Sequence, residues 1–200
     1  MELEYKKEEI IFNKEINNLD KFVFSFTKIL EKEEINYVII SGYIAILFGR
    51  SRNTEDVDLF VDKLDREKFK SLWKEILSNG FECTNTPSED TAYEILQDDS
   101  SIRFATKGHF VPNIEVKFTK TILDKSSLQN RIKVCINKEH LYTSSLEIQI
   151  AYKIYLGSDK DIEDAKHLWI LFKEHLNIDK LKYLAYLLGV DKEGIQNVIG

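Results

Sequence analysis

The spacing of apolar residues along this 200-residue chain alternates between helical and strand-like patterns. Apolar positions that recur every three or four residues predict helices over 5–17, 19–33, 65–78 and 90–98. Short apolar or alternating runs, rich in β-branched residues, predict strands over 37–41, 57–62, 81–84, 101–106 and 113–119. A short helix is predicted over 43–48, and from about residue 120 the pattern predicts mostly helices.

This order of elements predicts an α+β fold in which helices pack on a mixed β-sheet. The helix at 65–78 joins two predicted strands and favours helices on one face of that sheet. We expect residues 1–119 to form an α/β half and residues 120–200 to form a helical half. Because the chain has two prolines and no low-complexity stretch, no flexible linker is expected, and the halves should pack as one compact unit.

Composition argues against several other classes of protein. The hydrophobic fraction of 43% is ordinary for a globular chain. No apolar run approaches the ~20 residues of a membrane span, and the charged N-terminus lacks the apolar core of a signal peptide. We therefore expect a cytoplasmic protein without a membrane partner. Cys83 and Cys135 are isolated and lack metal-ligand spacing, so reduced core thiols are expected.

The charge pattern leaves two interpretations open. A net charge of −6 does not by itself indicate nucleic-acid binding. Segment 117–138 is nevertheless basic, with six Lys or Arg residues and Asp124 as its one acid. It is either a solvated surface or a strip that contacts a phosphate backbone.

Two neighbouring segments carry the candidate chemistry. Asp56 and Asp58 open a predicted strand, where residues at i and i+2 point to the same face, roughly 7 Å apart. Two carboxylates so close repel each other unless a cation lies between them, and hard divalent cations prefer oxygen ligands. Ser41 and Gly42 precede a short helix, whose free N–H groups would bind phosphate. The sequence thus predicts a triphosphate site beside a metal site.

Residues 41–44, Ser-Gly-Tyr-Ile, and 52–58, Arg-Asn-Thr-Glu-Asp-Val-Asp, together resemble the nucleotidyltransferase superfamily with the DNA polymerase β-like fold. The second segment resembles the small bacterial and archaeal branch that includes AbiEii-type toxins. The resemblance implies a nucleotidyltransferase-like fold and transfer of a nucleoside monophosphate from an NTP, with Mg²⁺ or Mn²⁺. The acceptor it implies is RNA, a protein or a small molecule, and a toxin would have a cognate antitoxin.

The resemblance also implies a third carboxylate on a neighbouring strand, and Glu115 stands at that place. With Asp56 and Asp58 it would be a metal ligand, and it would deprotonate the acceptor hydroxyl. The family usually has Asp there and Gly where this chain has Ser41, so both positions depart from the pattern. The alternative for Glu115 is an exposed strand residue paired with a lysine.

Arg52 and Thr54 belong to the same matched segment and are candidate nucleotide-binding residues, together with Ser41 and Gly42. The planar guanidinium of Arg52 would neutralise a phosphate. Alternatively, Arg52 would fix the turn by pairing with Glu55. Both interpretations remain open.

A second resemblance to AbiEii-type toxins lies in the C-terminal helices. Lys153 lies on a helix that Gly157 ends, and Asp161 and Asp164 lie one turn apart on the next. The resemblance implies that Lys153 contacts the nucleotide phosphates and that Asp161 orients it. The alternative is that the acids only complement a helix dipole.

Three functions therefore compete. An active nucleotidyltransferase is favoured by the intact segment 52–58. A catalytically degenerate module that binds a nucleotide or a protein is favoured by the departures at Ser41 and Glu115. A small-molecule resistance enzyme, such as an aminoglycoside nucleotidyltransferase, would be supported by an acidic cleft.

Overall fold

The computed structural model describes residues 3–6 and 8–200, which form a mixed sheet flanked by helices. Its strands are β1 (Leu3–Lys6), β2 (Glu9–Phe12), β3 (Tyr37–Ile39), β4 (Asp56–Val61), β5 (Phe81–Cys83), β6 (Ile102–Thr106), β7 (Asn113–Phe118), β8 (Ile132–Ile136) and β9 (Glu139–Thr143). Its helices are α1 (Asn18–Lys32), α2 (Gly42–Leu47), α3 (Arg66–Ser78), α4 (Glu89–Gln97), α5 (Ile122–Gln129), α6 (Leu146–Leu156), α7 (Asp159–Phe172), α8 (Ile178–Leu187) and α9 (Lys192–Ile199).

The strands of this sheet follow the order β1-β2-β8-β9-β3-β4-β7-β6-β5. Strands β4 and β7 run parallel, with Asp58 opposite Glu115, and β6 lies antiparallel beyond β7 with Arg103 opposite Glu115. Strand β3 joins β9 through a single residue pair, Ile39 and Thr143. The mixed sheet with packed helices confirms the predicted α+β fold.

The predicted helix over 5–17 is wrong, because the N-terminal residues form the antiparallel pair β1 and β2. Ile10 and Phe12 are buried, whereas the neighbouring Glu9 and Ile11 are partly exposed, which is the two-residue period of a strand. Strand β2 then pairs in parallel with β8, more than 120 residues away along the chain. This distant partner overrides the local helical spacing.

The segment after residue 120 is mostly helical, as predicted, but it also contains two strands that were not predicted. Strands β8 and β9 form a hairpin there, and they lie between β2 and β3 in the sheet. Ile132, Val134 and Ile136 are buried on alternate positions, a strand signal. Asn137 supplies the left-handed backbone of the turn, with φ 56°. The helical half therefore also contributes two strands to the sheet.

Local capping signals fix the helices that lie near the candidate site. Gly157, with φ 70°, ends α6, and the hydroxyl of Ser158 accepts a hydrogen bond from the backbone N–H of Asp161 at the start of α7. The short helix α2 is held by Tyr43, whose buried hydroxyl donates to the buried carboxylate of Asp20 over 2.9 Å. Residues from distant parts of the chain are thus brought to fixed positions.

The structure also bears on the predictions about the two cysteines and about membrane-spanning segments. Cys83 and Cys135 are free thiols, but both are partly exposed, so the expected place in the core is wrong. Both thiols stand at sheet positions with intermediate burial. Within residues 3–6 and 8–200, each helix is too short or too polar to traverse a bilayer.

Candidate active site

Asp56 and Asp58 lie on one face of β4, as their spacing predicts. Asp56 is exposed at the start of the strand, and Asp58 is partly buried further along it. The hydroxyl of Thr54 donates to the carbonyl oxygen of Asp56 over 2.9 Å and to its carboxylate Oδ1 over 3.1 Å. Thr54 therefore orients Asp56 from the turn that precedes the strand.

Glu115 lies directly across from Asp58, on the neighbouring parallel strand, and is 7% exposed. Its Oε2 accepts from Arg103 Nε over 2.8 Å, and Arg103 Nη2 lies 2.7 Å from the same oxygen. Its Oε1 lies 2.5 Å from Lys117 Nζ, which is also 3.6 Å from Asp58 Oδ1. Glu115 is thus buried and paired with two cations, and Lys117 bridges it to Asp58.

These contacts shift the acidity of the groups in opposite directions. Burial raises the pKa of Asp58, and the charges of Glu115 and Asp56 raise it further, against the opposing effects of Lys117 and a hydrogen bond with Ser41. Burial also acts to raise the pKa of Glu115, but hydrogen bonds and charges from Lys117 and Arg103 outweigh it and lower that pKa. The negative charge of Asp58 is therefore less well compensated by neighbouring groups than that of Glu115.

The donor set suits a divalent cation only in part. Asp56 and Asp58 offer carboxylate oxygens on one face, which is the ligand type that Mg²⁺ prefers. Both oxygens of Glu115 are engaged by cationic side chains. In the described part of the chain, no group of three or more His, Cys, Asp or Glu residues is arranged to hold a metal ion. The first two carboxylates thus fit the predicted metal, and the third would have to exchange its partner.

Ser41 has an unusual backbone conformation, with φ 68° and ψ −145°. This region is populated almost only by glycine and costs a residue with a Cβ about 1–3 kcal/mol. Its side chain does not cap α2; a hydrogen bond with Asp58 acts on the pKa of that carboxyl instead. The position needs a glycine-like backbone, which explains why the related pattern has glycine there.

Gly42 begins α2 and is buried. A Cβ at this position would lie 2.7 Å from Arg52 Nη2 and 3.1 Å from its Cζ, which is too close for ordinary packing. A side chain at position 42 would therefore displace the Arg52 guanidinium from its present place. The space beside the first turn of α2, predicted to hold phosphate, is bordered by this cation.

Arg52 belongs to a network of ion pairs behind α2. The carboxylate of Asp164, 0% exposed, accepts from Arg50 Nη1, from Arg52 Nη1 over 2.5 Å and from Lys153 Nζ over 2.7 Å. Lys153 is 2% exposed and also donates to Asp161 Oδ1 over 3.2 Å. Arg52 therefore pairs with Asp164 and not with Glu55, the partner that its structural alternative predicted, and the phosphate contact stays a prediction.

Lys153 and Asp161 are in contact, in line with the orienting role that the resemblance implies. Burial acts to raise the pKa of Asp161, but its hydrogen bonds with Ser158 and Lys153 and the charge of Lys153 lower it. The ammonium of Lys153 is already neutralised by two carboxylates. Contact with a phosphate would require it to exchange one of these partners.

The site includes residues that sequence reasoning did not select. Lys117 stands two positions after Glu115 on the same strand face, so its spacing was available as a signal. Arg103 interrupts the otherwise apolar strand β6, but its contact with Glu115 depends on the β6–β7 register. Arg50 meets Asp164 across more than 110 residues, for which no local signal exists.

The basic segment 117–138 does not form one continuous strip. Lys117 is engaged in the site, and Lys120 pairs with Asp99 over 2.6 Å. Arg131 donates to Asn36 over 2.9 Å and packs over the Tyr142 ring. These internal partners favour the interpretation of a solvated surface.

A cavity of about 360 Å³ opens directly on Asp58. Ser41 and Lys117 line it from the sheet side, and the opposite wall comes from α5 and α6, including Gln149 and Tyr152. This volume lies within the range of small-molecule sites. Asp58 and the strained Ser41 therefore border the same cavity, whereas Asp56 is not among its lining residues.

This arrangement can be compared with known proteins. Residues 19–198 match the family described as nucleotidyl transferase of unknown function (DUF2204). The chain belongs to this family. The prediction of a nucleotidyltransferase is thereby confirmed at the level of the family, whereas the AbiEii-type branch is not. None of the curated protein sequences matches the chain.

Solved structures share the fold of this family member at low sequence identity. An antigenic nucleotidyltransferase-like protein from Paracoccidioides brasiliensis is 20% identical, with a TM-score of 0.53 over 90% of this chain and 91% of that one. ANT(2")-Ia in complex with adenylyl-2"-tobramycin is 12% identical, with a TM-score of 0.58 over 86% and 98%. The lincosamide antibiotic adenylyltransferase LnuA, bound to lincomycin, is 12% identical, with a TM-score of 0.51 over 78% and 98%.

Proposed function

We propose that the protein is an active nucleotidyltransferase that transfers a nucleoside monophosphate from an NTP to a hydroxyl acceptor and depends on Mg²⁺ or Mn²⁺. The observation that supports this most is the position of Asp56 and Asp58 on one strand face, with Asp58 opening into the 360 Å³ cavity. Membership of a nucleotidyl transferase family agrees with it. The raised pKa of Asp58 marks a place where further positive charge is favourable.

Asp56 and Asp58 would hold the divalent cation, with Glu115 as the third carboxylate once Lys117 exchanges its partner. Bound there, the cation would neutralise the charge of the triphosphate and stabilise the in-line displacement at its α-phosphate. Thr54 keeps the Asp56 carboxylate in place through its 3.1 Å hydrogen bond. Lys117, released from Glu115, would then have a donor free for a phosphate oxygen.

Ser41, Gly42 and Arg52 would form the phosphate side of the site. The guanidinium of Arg52 packs against Gly42, so a triphosphate at the start of α2 would meet a planar cation. Lys153 would contribute by contacting phosphate after it leaves Asp164, with Asp161 as the carboxylate that orients it. The cluster would thus connect nucleotide binding with the C-terminal helices.

The acceptor proposed is an RNA or protein hydroxyl, with a small molecule as the other choice. One structure of the same fold is named a lincosamide antibiotic adenylyltransferase, and another is a complex with adenylyl-2"-tobramycin, which supports a small-molecule acceptor. The toxin–antitoxin setting, a cognate antitoxin partner and a cytoplasmic location remain part of this proposal and rest on the motif at residues 52–58.

The test is incubation with each α-³²P-labelled NTP, Mg²⁺, and total cellular RNA, protein or small-molecule extract. We expect label to pass to one acceptor class, and Asp58→Asn to reduce the transfer at least about a hundredfold. Glu55→Gln is the matched control, because it removes the same charge from an exposed position three residues away. Equal transfer by Asp58→Asn and Glu55→Gln would contradict the proposal.

A catalytically degenerate binding module is the second candidate, and the engaged state of Glu115 favours it. Such a module would bind NTP without consuming it. Chromatography of ATP, CTP, GTP and UTP after each has been incubated with the protein, Mg²⁺ and the acceptor class identified above separates the two functions. Pyrophosphate release supports the enzyme, whereas binding with intact NTP supports the module.

A further inference from the structure

One wall of the cavity is built from a single face of α6. Gln149, Tyr152 and Leu156 stand at positions i, i+3 and i+7 of that helix, so their side chains share a face, and all three line the cavity. Asp58 and Lys117 line it from the sheet. The helix face therefore lies across the cavity from the proposed phosphate and metal groups.

Gln149 is a polar residue in the otherwise apolar cavity-facing part of this helix, and it is 3% exposed. Its backbone N–H bonds to Ser145 in the normal helical way. Its side-chain amide makes no hydrogen bond with another residue among those described, 3–6 and 8–200. Neither amide atom of Gln149 is among the fully shielded polar atoms that lack a partner in the described part of the chain, so both reach the cavity, where a ligand can pair with them.

The other polar groups on this side of the cavity supply acceptors. Oδ2 of Asp124 accepts from the backbone N–H groups of Lys120 over 3.0 Å and Thr121 over 2.8 Å, which leaves Oδ1 as a free acceptor. The hydroxyl of Ser127 donates to the carbonyl of Leu123 over 2.9 Å, so its oxygen also offers acceptor capacity. The cavity therefore favours a ligand edge that carries donors.

Resting on the proposed function, we propose that this cavity holds the nucleobase of the NTP and that Gln149 recognises it. The base has an amino group beside a ring-nitrogen acceptor, as in adenine and cytosine. Gln149 Oε1 would accept from the amino group while Nε2 donates to the ring nitrogen, which is the paired contact that glutamine makes with adenine. The second amino hydrogen would reach Asp124 or Ser127, and the partly exposed Tyr152 ring offers a stacking surface.

Gln149 alone would not discriminate, because its amide can rotate to present donor and acceptor in either order. Asp124 and Ser127 supply the discrimination, and it depends on Gln149, because the paired contact with Gln149 holds the edge of the base against these two acceptors. Guanine and uracil carry a carbonyl oxygen where adenine and cytosine carry the amino group, and that oxygen would face these acceptors. An acceptor opposed to an acceptor leaves both unpaired and disfavours binding.

The experiment is calorimetric titration of the full chain with α,β-methylene analogues of ATP, CTP, GTP and UTP in the presence of Mg²⁺. We expect the adenine or cytosine analogue, or both, to bind at least about tenfold more tightly than the guanine and uracil analogues. Gln149→Met, which keeps an unbranched side chain of similar length, should remove that difference. Gln196→Met is the matched control, because Gln196 is exposed on α9, outside the cavity.

Gln149→Glu provides a second variant if Gln149→Met fails to fold. It keeps the shape of the side chain but loses the Nε2 donor, so it should weaken the amino-bearing analogues selectively. Equal binding of all four analogues by the wild type, a preference for guanine or uracil, or an unchanged preference in either Gln149 variant would overturn the inference. The proposed function survives these results if binding is still lost in Asp58→Asn, and both fail if the wild type binds none of the analogues.

Discussion

The buried ion-pair network behind α2 should make Asp164 one of the most sensitive positions of the fold. Its carboxylate is completely buried and accepts from three cationic side chains, those of Arg50, Arg52 and Lys153. Asp164→Asn keeps the shape of the side chain but removes the charge that these cations share. Lys153→Met removes one cation and leaves Asp164 with both arginines.

The expected costs follow from what each change leaves unpaired. Removing one partner of a buried ion pair costs about 3–5 kcal/mol, because the remaining charge stays buried. Asp164→Asn should reach that range, since Lys153 is 2% exposed and both arginine side chains are mostly buried. Lys153→Met should cost about 1–3 kcal/mol, because Asp164 keeps its arginines. Asp164→Asn would thus remove about a fifth or more of a stability of about 5–15 kcal/mol.

Urea unfolding followed by circular dichroism measures these differences. With a slope of about 2 kcal/mol per molar urea, Asp164→Asn should lower the midpoint by about 1.5 M or more. Glu163→Gln is the control, because its exposed carboxylate also pairs with Arg50 but should be worth less than about 1 kcal/mol. The reasoning is refuted if Asp164→Asn costs no more than Glu163→Gln, or if Lys153→Met costs more than Asp164→Asn.

Three further predictions concern single residues. The lowered pKa of Asp161 contributes stability that is fully present above its unfolded value of 3.8 and is lost as the pH falls through the folded value. The unfolding free energy of Asp161→Asn should therefore fall less steeply with decreasing pH than that of the wild type. Equal slopes in the two proteins would contradict this. Ser41→Gly should raise the unfolding free energy by about 1 kcal/mol by relieving the left-handed backbone, and a lower urea midpoint would speak against it. Lys117→Met removes an ammonium that lies 3.6 Å from Asp58, and its repulsion of a bound cation is worth at least about 1 kcal/mol. Calorimetry should therefore show that the variant binds Mg²⁺ about five- to tenfold more tightly than the wild type. Unchanged affinity would count against the metal site.

Sequence signals were sufficient where the residues that determine a structural feature lie close together in one segment of the chain. The strand–helix–strand segment around Ser41 and Asp58, and the break at Gly157 and Ser158, were predictable because spacing, capping and glycine chemistry act over a few residues. The contact between Lys153 and Asp161 also lies within one helix–turn–helix segment. The roles of these residues remain predictions, since contacts alone do not report chemistry.

Contacts over long sequence separations could not be predicted in this way. The short strand β2 forms because it pairs with the distant strand β8. Its own sequence has only two buried residues, and this weak strand signal does not outweigh the helical spacing of the apolar residues around it. The burial of Glu115 depends on Arg103 reaching it from β6, which requires the register of two strands. The hairpin of β8 and β9 is different, because the alternation of apolar and polar residues before Asn137 is a local signal that predicts a strand from the sequence.

Strands β3 and β9 are joined by a single residue pair, so the sheet consists of two blocks with few backbone hydrogen bonds between them. Ile39 and Thr143 form that pair, one further backbone bond runs from Ser144 N to Ile39 O over 3.0 Å, and the buried hydroxyls of Thr143 and Ser144 have no partner among the described residues. Asp58 belongs to one block, and the helix with Gln149 follows directly from the other. Fluctuations that open the sheet will concentrate along this line. If the cavity holds a nucleotide as proposed, such fluctuations would change its width, and nucleotide entry would depend on the join between β3 and β9.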